Sequence, residues 1–262
     1  SAFNAEWTGG GTSNYAANLN LCYTANYRSG DWSWDNRLLV DYGISKTKDQ
    51  EFTRKTSDRF EINSILGKQI NESNWYYSYF LNFKTQMTSG YVYGEDTNGD
   101  EIRTETTKAF SPAYLQTGPG MLWKKNDNLF VNISPATAKL IFVNGDFTNV
   151  GNNQVDIDAF NEAGGYFGVE ANESMRFEFG ASINAYAKFK LMDNISFENI
   201  LNLYSNYLDN PQNVDIDYTA NLVMSINKWI TANVAFQAIY DDNAVQAFQI
   251  REALGIGVTY GF

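Results

Sequence analysis

The sequence has no histidine, one cysteine and only four prolines among its 262 residues. Each scarcity excludes a chemistry. One cysteine makes no internal disulfide, so this is not a disulfide-stapled scaffold. Without histidine there is no His general base, no Ser-His-Asp triad and no His metal ligand. A membrane-spanning helix is missing too: the longest uncharged stretch, Trp7–Tyr27, is full of Asn, Gly and Thr. No secretory leader is recognisable, so the sequence reads as a mature or trimmed form. Basic charge is scarce, with 19 Lys and Arg against 30 Asp and Glu and a net charge of -11. That balance argues against nucleic acid or an anionic membrane surface as an electrostatic partner.

Aromatic residues are abundant: 17 Tyr, 18 Phe and 6 Trp. Mean hydropathy is nevertheless -0.39. Many aromatics with frequent Asn and Gly suit β-structure with polar loops better than helix.

The dominant pattern has a period of two. From Tyr15 to Tyr27 the odd positions are Tyr15, Ala17, Leu19, Leu21, Tyr23, Ala25 and Tyr27, and the even ones are mostly polar. The alternation extends well past the ~5–6 residues of an average soluble strand. It recurs from Trp32 to Ser45, Trp75 to Met87, Arg176 to Leu191, Ile195 to Tyr207, Ile216 to Asn227, Ile230 to Asp241 and Ile250 to Phe262. Weaker strands fit Phe60–Lys68, Ala109–Trp123 and Leu129–Val143, where Pro112, Pro119 and Pro135 blur the pattern. Such strands suit a soluble sandwich with an apolar core or a membrane barrel with an apolar outside. Length favours the barrel, whose tilted strands need ~9–11 residues.

The connections alternate in length. Short ones are Arg28–Asp31, Gln69–Asn74, Lys124–Asn128, Met192–Asn194 and Asn227–Trp229. Long ones are Lys46–Asp58, Thr88–Lys108, Asn144–Met175, Asn206–Asp215 and Asp242–Gln249. Outer-membrane barrels pair short periplasmic turns with long extracellular loops in this way. Trp32, Trp34, Trp75, Trp123 and Trp229 all fall beside short turns, and Tyr15, Tyr42, Tyr207, Tyr218 and Tyr240 near the long-loop rim. Two aromatic girdles bracketing a lipid-facing band are expected of such a barrel. The chain ends on Leu254-Gly-Ile-Gly-Val-Thr-Tyr-Gly-Phe262, which looks like the terminal strand signal of bacterial outer-membrane barrels.

The expected fold is therefore all-β: a transmembrane antiparallel up-and-down β-barrel forming one domain over residues 1–262. Bacterial barrels normally have an even number of strands with both ends in the periplasm. Counting back from Phe262 leaves only Ser1–Trp7 for a first strand. The expectation is about 12 strands, the first truncated.

Several fragments carry a resemblance. They are Trp32-Ser-Trp-Asp-Asn36, Trp75-Tyr-Tyr-Ser-Tyr79, Leu81-Asn-Phe-Lys-Thr85, Phe110-Ser-Pro-Ala-Tyr114, Asn206-Tyr-Leu-Asp-Asn-Pro-Gln-Asn-Val-Asp215, Ile239-Tyr-Asp-Asp242 and Glu252-Ala-Leu-Gly-Ile-Gly-Val258. The chain resembles a family of Bacteroidota outer-membrane proteins classed as a domain of unknown function, over essentially its whole length. Trp7-Thr-Gly-Gly-Gly11 matches the end of that family's first strand. The resemblance implies a fold and an outer-membrane location, and brings no catalytic residues.

Candidate sites follow from the register. The expected lumen-lining residues are Asp35, Arg37, Asp41, Glu61, Lys84, Arg176, Glu178, Lys188, Lys190, Glu198, Asp217 and Arg251. Charges of both signs fit either a narrow channel for small solutes or a network of ion pairs that satisfies the interior. Asp96, Asn98 and Asp100 are spaced like the start of a calcium loop, but Glu101 and Thr107 stand where glycine and glutamate are required. A solvated hairpin tip is expected there, and no metal or other cofactor. The acidic loop Asn144–Met175 is long for an idle connection. Its Gly164-Gly-Tyr-Phe-Gly168 run suits tucking aromatics into the rim, and the loop as a whole suits a constriction, a cation site or a partner contact. Cys22 falls on the lumen face, read as a small buried residue because no base stands beside it. No enzyme is expected. The expected role is a structural or accessory subunit of an outer-membrane complex with a narrow or plugged lumen, the alternative being a porin-like channel. Its partners would be outer-membrane lipid and other outer-membrane or periplasmic proteins.

Overall fold

A computed structural model describes residues 13–241 and 245–258. Strands dominate it. In chain order they are β1 (Asn14–Ser29), β2 (Trp32–Thr47), β3 (Arg54–Gln69), β4 (Trp75–Thr85), β5 (Gly90–Glu95), β6 (Glu101–Thr107), β7 (Ala113–Asn126), β8 (Leu129–Phe142), β9 (Met175–Met192), β10 (Ile195–Asn206), β11 (Val214–Ser225), β12 (Ile230–Asp241) and β13 (Val245–Val258). A 3₁₀ turn, Gly145–Phe147, and one helix, α1 (Gln154–Glu162), sit in the connection between β8 and β9. No helix among the described residues is long and apolar enough to cross a membrane, which says nothing of strands.

Eleven strands form one antiparallel sheet in the order β1-β2-β3-β4-β7-β8-β9-β10-β11-β12-β13, and β5 and β6 make a separate hairpin. Each strand of the sheet pairs with its neighbour in sequence, apart from the excursion between β4 and β7. This is the up-and-down arrangement that the alternation predicts. The sheet holds eleven strands among the described residues rather than about twelve. The expected remnant of a first strand, residues 1–7, and the last four residues of the terminal signal lie outside the described residues.

The connection lengths sort the rims as expected except between β12 and β13, where the expected loop Asp242–Gln249 gives way to a connection of three residues because β13 begins at Val245. Turns of two residues join β1 to β2, β7 to β8 and β9 to β10 on one side. The connections carrying the β5–β6 hairpin and α1 lie on the other. The expected loop Thr88–Lys108 is largely this hairpin, because Tyr91 and Tyr93 alternate across from Arg103 and Glu105 as in any two-stranded ribbon.

Packing is inverted relative to a soluble protein. Buried side chains among the described residues are more often polar than apolar, with Glu178, Asn132, Ser134 and Thr137 fully enclosed. Leu19, Tyr77, Phe177 and Leu254 lie exposed on the other face. An antiparallel sheet with a solvated face buries its apolar side; here the concave face is the polar one.

The sheet is strongly curled. Arg37 on β2 and Glu198 on β10 touch at 3.1 Å although five strands lie between them in the sheet order. Lys84 on β4 reaches Asp217 on β11 at 2.7 Å. Only a sheet bent most of the way round brings such strands together. Two close approaches serve the wall: a Cβ at Gly180 would lie 1.9 Å from the Ser205 carbonyl oxygen, and one at Gly118 2.3 Å from that of Ala136. The edges β1 and β13 are not paired with each other among the described residues.

Candidate functional site in the barrel interior

The interior is built from inward positions of successive strands, and its charges fall into four levels. Nearest the long loops, Arg176 pairs with Glu178 at 2.9 Å and with Asp209 at 3.1 Å. Lys139 bridges Glu178 at 3.2 Å and Asp215 at 3.0 Å, and its ammonium lies 4.6 Å from the Tyr204 ring centre. Burying a charge is tolerated only when it is paired and hydrogen-bonded, and this group meets that condition.

At the second level Arg59 pairs with Glu61. Glu61 also accepts hydrogen bonds from Asn63 at 2.8 Å and Asn82 at 2.9 Å. Lys84 meets Asp217, which accepts a further bond from Gln237 at 2.9 Å. Asp41 accepts from Asn20 at 2.7 Å. At the third level Glu198 gathers Arg37, the Tyr186 hydroxyl at 2.7 Å and Asn221 at 3.1 Å. Tyr186 stacks on Phe130 with ring centres 5.3 Å apart. At the short-turn rim Arg28 and Lys124 share Asp35 and Asp127, at 2.6 to 3.0 Å.

These levels place most of the residues expected in the lumen. Asp35, Arg37, Asp41, Glu61, Lys84, Arg176, Glu178, Glu198 and Asp217 all make the interior contacts given above. Lys188 lies exposed beside the interior, opposite Glu198 in the strand pairing. Lys190 stands out at the short turn, paired with Asp193 at 3.0 Å in solvent. Arg251 is exposed on the edge strand β13, opposite Gln237. Cys22 is exposed rather than buried, because β1 is an edge with no strand on its other side.

Sequence reasoning missed Arg28, Arg59, Lys124, Lys139 and Asp215. Lys139 escaped because β8 carries a bulge between Ser134 and Thr137. The inward set changes there from even positions, Asn132 and Ser134, to odd ones, Thr137, Lys139 and Ile141. Pro135 was the available signal. Asp215 falls at the end of the expected loop Asn206–Asp215, and Arg59 between the expected loop Lys46–Asp58 and the expected strand Phe60–Lys68, whereas β3 already begins at Arg54.

Of the aromatic positions, Trp32, Trp34, Trp75 and Trp229 are exposed beside the short turns. Trp123 lies directly across from Trp75. At the other end Tyr15 and Tyr207 are exposed, and the Tyr240 ring lies tilted against Phe248 with centres 5.4 Å apart. Tyr42 and Tyr218 sit further inside their strands, where Tyr218 donates to Asn199 at 2.8 Å.

The long loops are tied down. Glu101 accepts from the Glu51 amide at 2.6 Å and the Phe52 amide at 3.2 Å and pairs with Arg54. Partial burial pushes its carboxyl up, but these two amides and Arg54 outweigh that and hold it below the usual glutamate range. Asp58 accepts from Met87 and Thr88 at 2.7 to 2.9 Å, anchoring the base of the same excursion. Lys108 donates to Asp146 at 2.5 Å, which raises its pKa. Tyr166 donates to the Thr106 carbonyl, joining the two long loops, and burial pushes its hydroxyl up to about 12. Tyr166 and Phe167 pack on Ile141, Val143 and Val169 with Tyr114, so the acidic loop lays its aromatics on the inner face of the rim. Gly165 allows this with φ +69, where a Cβ would meet the Val169 carbonyl oxygen at 2.3 Å.

Asp96 spends its carboxylate on its own turn, accepting from the amides of Asn98 at 2.8 Å and Asp100 at 2.9 Å. Among the described residues no three Cys, Asp or Glu side chains are placed to hold a metal ion.

No curated protein matches the chain. Among solved structures, the β domain of the Bordetella autotransporter BrkA superposes over 95% of this chain and 91% of its own, at 9% identity and a TM-score of 0.35. A likeness at that level carries no argument, and the fold stands on the strand pairing itself. Over residues 1–91, which include β1 to β4, the chain matches a family described as a protein of unknown function, DUF3078.

Proposed function

We propose that the protein is an integral outer-membrane β-barrel whose interior is closed by ion pairs, and that it acts as a structural or accessory subunit of an outer-membrane assembly without catalysing a reaction. The observation that carries the closed interior is the Arg37–Glu198 contact across the curled sheet, at 3.1 Å. The levels above and below it hold further ion pairs across the interior, Lys84 with Asp217 and Lys139 with Asp215 among them. A conducting pore needs a continuous polar path with groups free to exchange ions; here Arg28, Arg37, Arg59, Lys84, Lys124, Lys139 and Arg176 are committed to carboxylates. The membrane location rests on the exposed apolar outer face, the tryptophans beside the short turns and the polar concave face.

Planar-bilayer recording of the purified chain tests the closed interior. No steady conductance above background is expected, and a stable ion-conducting step overturns it in favour of the porin-like alternative. Pull-down from native membranes in mild detergent tests the accessory role. Recovery as a lone monomer sinks that part of the reading.

A further inference from the structure

The interior is not filled throughout. Between the Glu61 level and the quartet at the short turns lies a cavity of about 260 Å³. Its lining is charge-balanced: Asp35, Glu61, Asp127 and Glu198 face Arg37, Arg59, Lys124 and Lys188, four of each sign. All but Lys188 are held in ion pairs. A cation would have to break one of these pairs to find a counter-charge, leaving a partly buried group unpaired, and an anion would find only the exposed Lys188, where a solvated pair contributes little.

The hydrogen-bonding capacity left over includes the Arg37 Nε–H, buried without a hydrogen-bond partner, and side-chain amides. Asn184 donates to Asn202 at 3.0 Å, but the Asn184 carbonyl oxygen is buried with no partner. Buried polar atoms are seldom left unsatisfied, which singles out this oxygen; the Asn202 amide nitrogen and the exposed Asn26 side chain stand beside the same cavity as further amide groups. Beside these amides the stacked Phe130–Tyr186 pair and the buried Phe80 make an apolar wall. Neutral donors and acceptors at one side and an aromatic surface at the other suit a ring that carries hydroxyls on its edge and C–H groups on its face. The volume lies at the small end of ligand pockets, which run about 300–1,000 Å³, and matches a single ring.

We propose that this cavity binds a neutral polyhydroxylated solute the size of a single hexose ring, through Asn26, Asn184 and Asn202 against the Phe130–Tyr186 pair. This goes beyond the closed-barrel reading. A closed barrel that binds no such solute leaves that reading standing, and a conducting barrel that binds one leaves this proposal standing.

The test is saturation-transfer NMR on the full chain in a detergent without a sugar headgroup, titrated with glucose and with myo-inositol. Glucuronate and glucosamine serve as charged counterparts. Saturable binding of a neutral ring is expected, at least about tenfold tighter than either charged form and weakened at least about tenfold by Asn184→Leu. Retention of the heat-modifiable folded band shows that the variant is folded. If it is not, Asn26→Leu on the exposed edge strand decides, with the same weakening expected. No saturable binding of either neutral ring, or equal binding by wild type and the folded variant, overturns the proposal.

Discussion

Arg37 on β2 and Glu198 on β10 are joined at 3.1 Å across the concave face of a sheet in which five other strands separate them. The bond is a chord of the curve. Tyr186 and Asn221 satisfy the remaining capacity of Glu198, so removing that carboxylate strands a guanidinium and two polar groups together.

Glu198→Gln is therefore expected to cost about 3 kcal/mol, the cost of breaking a buried pair by taking away one partner. Urea unfolding of the protein in lipid vesicles measures it. The double variant Arg37→Met with Glu198→Met is expected to recover a large part of the loss, since two apolar groups leave no uncompensated charge. A double variant as unstable as the single one contradicts this account.

Gly180→Ala tests the wall rather than the interior. The added methyl meets the Ser205 carbonyl oxygen at 1.9 Å, and backbone gives way less easily than a side chain. A destabilisation of about 2 kcal/mol is expected, with a matching loss of heat-modifiable band. No change in stability would mean that β9 and β10 are not held at this spacing.

An outward position near the middle of a strand should tolerate charge worse than one at the rim. Leu81 and Tyr77 both face outward on β4, Tyr77 nearer the short turn. Leu81→Arg is expected to cost about 2–4 kcal/mol in a bilayer and Tyr77→Arg no more than about 1 kcal/mol. Folding into vesicles, followed by tryptophan fluorescence, gives both values. Equal costs at the two depths argue against the lipid-facing band.

Acid should loosen the β5–β6 hairpin. The folded pKa of Glu101 is depressed, so its contribution is complete above the ordinary glutamate value of about 4.3 and is lost as pH falls through the folded value. Proteolysis at the tip between Asp96 and Gly99 is expected to quicken over that acidic window. In Glu101→Gln it should be fast already at neutral pH and show little pH dependence. A wild-type rate that does not rise with acid refutes the anchor.

Alternation alone made the strands, the two unequal rims and the polar concave face legible. It works because side chains on a strand change face at every residue. It fails where that count is interrupted. The bulge in β8 put Lys139 inside, against a strict reading of odd and even positions. Strand starts were hidden as well: β3 begins at Arg54 and β11 at Val214, ahead of the alternation that marks them, so Arg59 and Asp215 fall outside the strands legible in the sequence. The partners of Arg37 and Lys84 were illegible for a different reason. The sequence gives no sign of which strands a curled sheet sets opposite each other.

The two edges of the sheet add a constraint of their own. With eleven strands among the described residues and antiparallel pairing at each step, β1 and β13 point the same way. Zipped directly together they would form a parallel seam in an otherwise antiparallel wall. A seam antiparallel on both sides takes an odd number of further strands, one being enough, pointing opposite to both. A hydrocarbon surround leaves no edge unpaired, so the direction of a single strand decides which closure the membrane accepts.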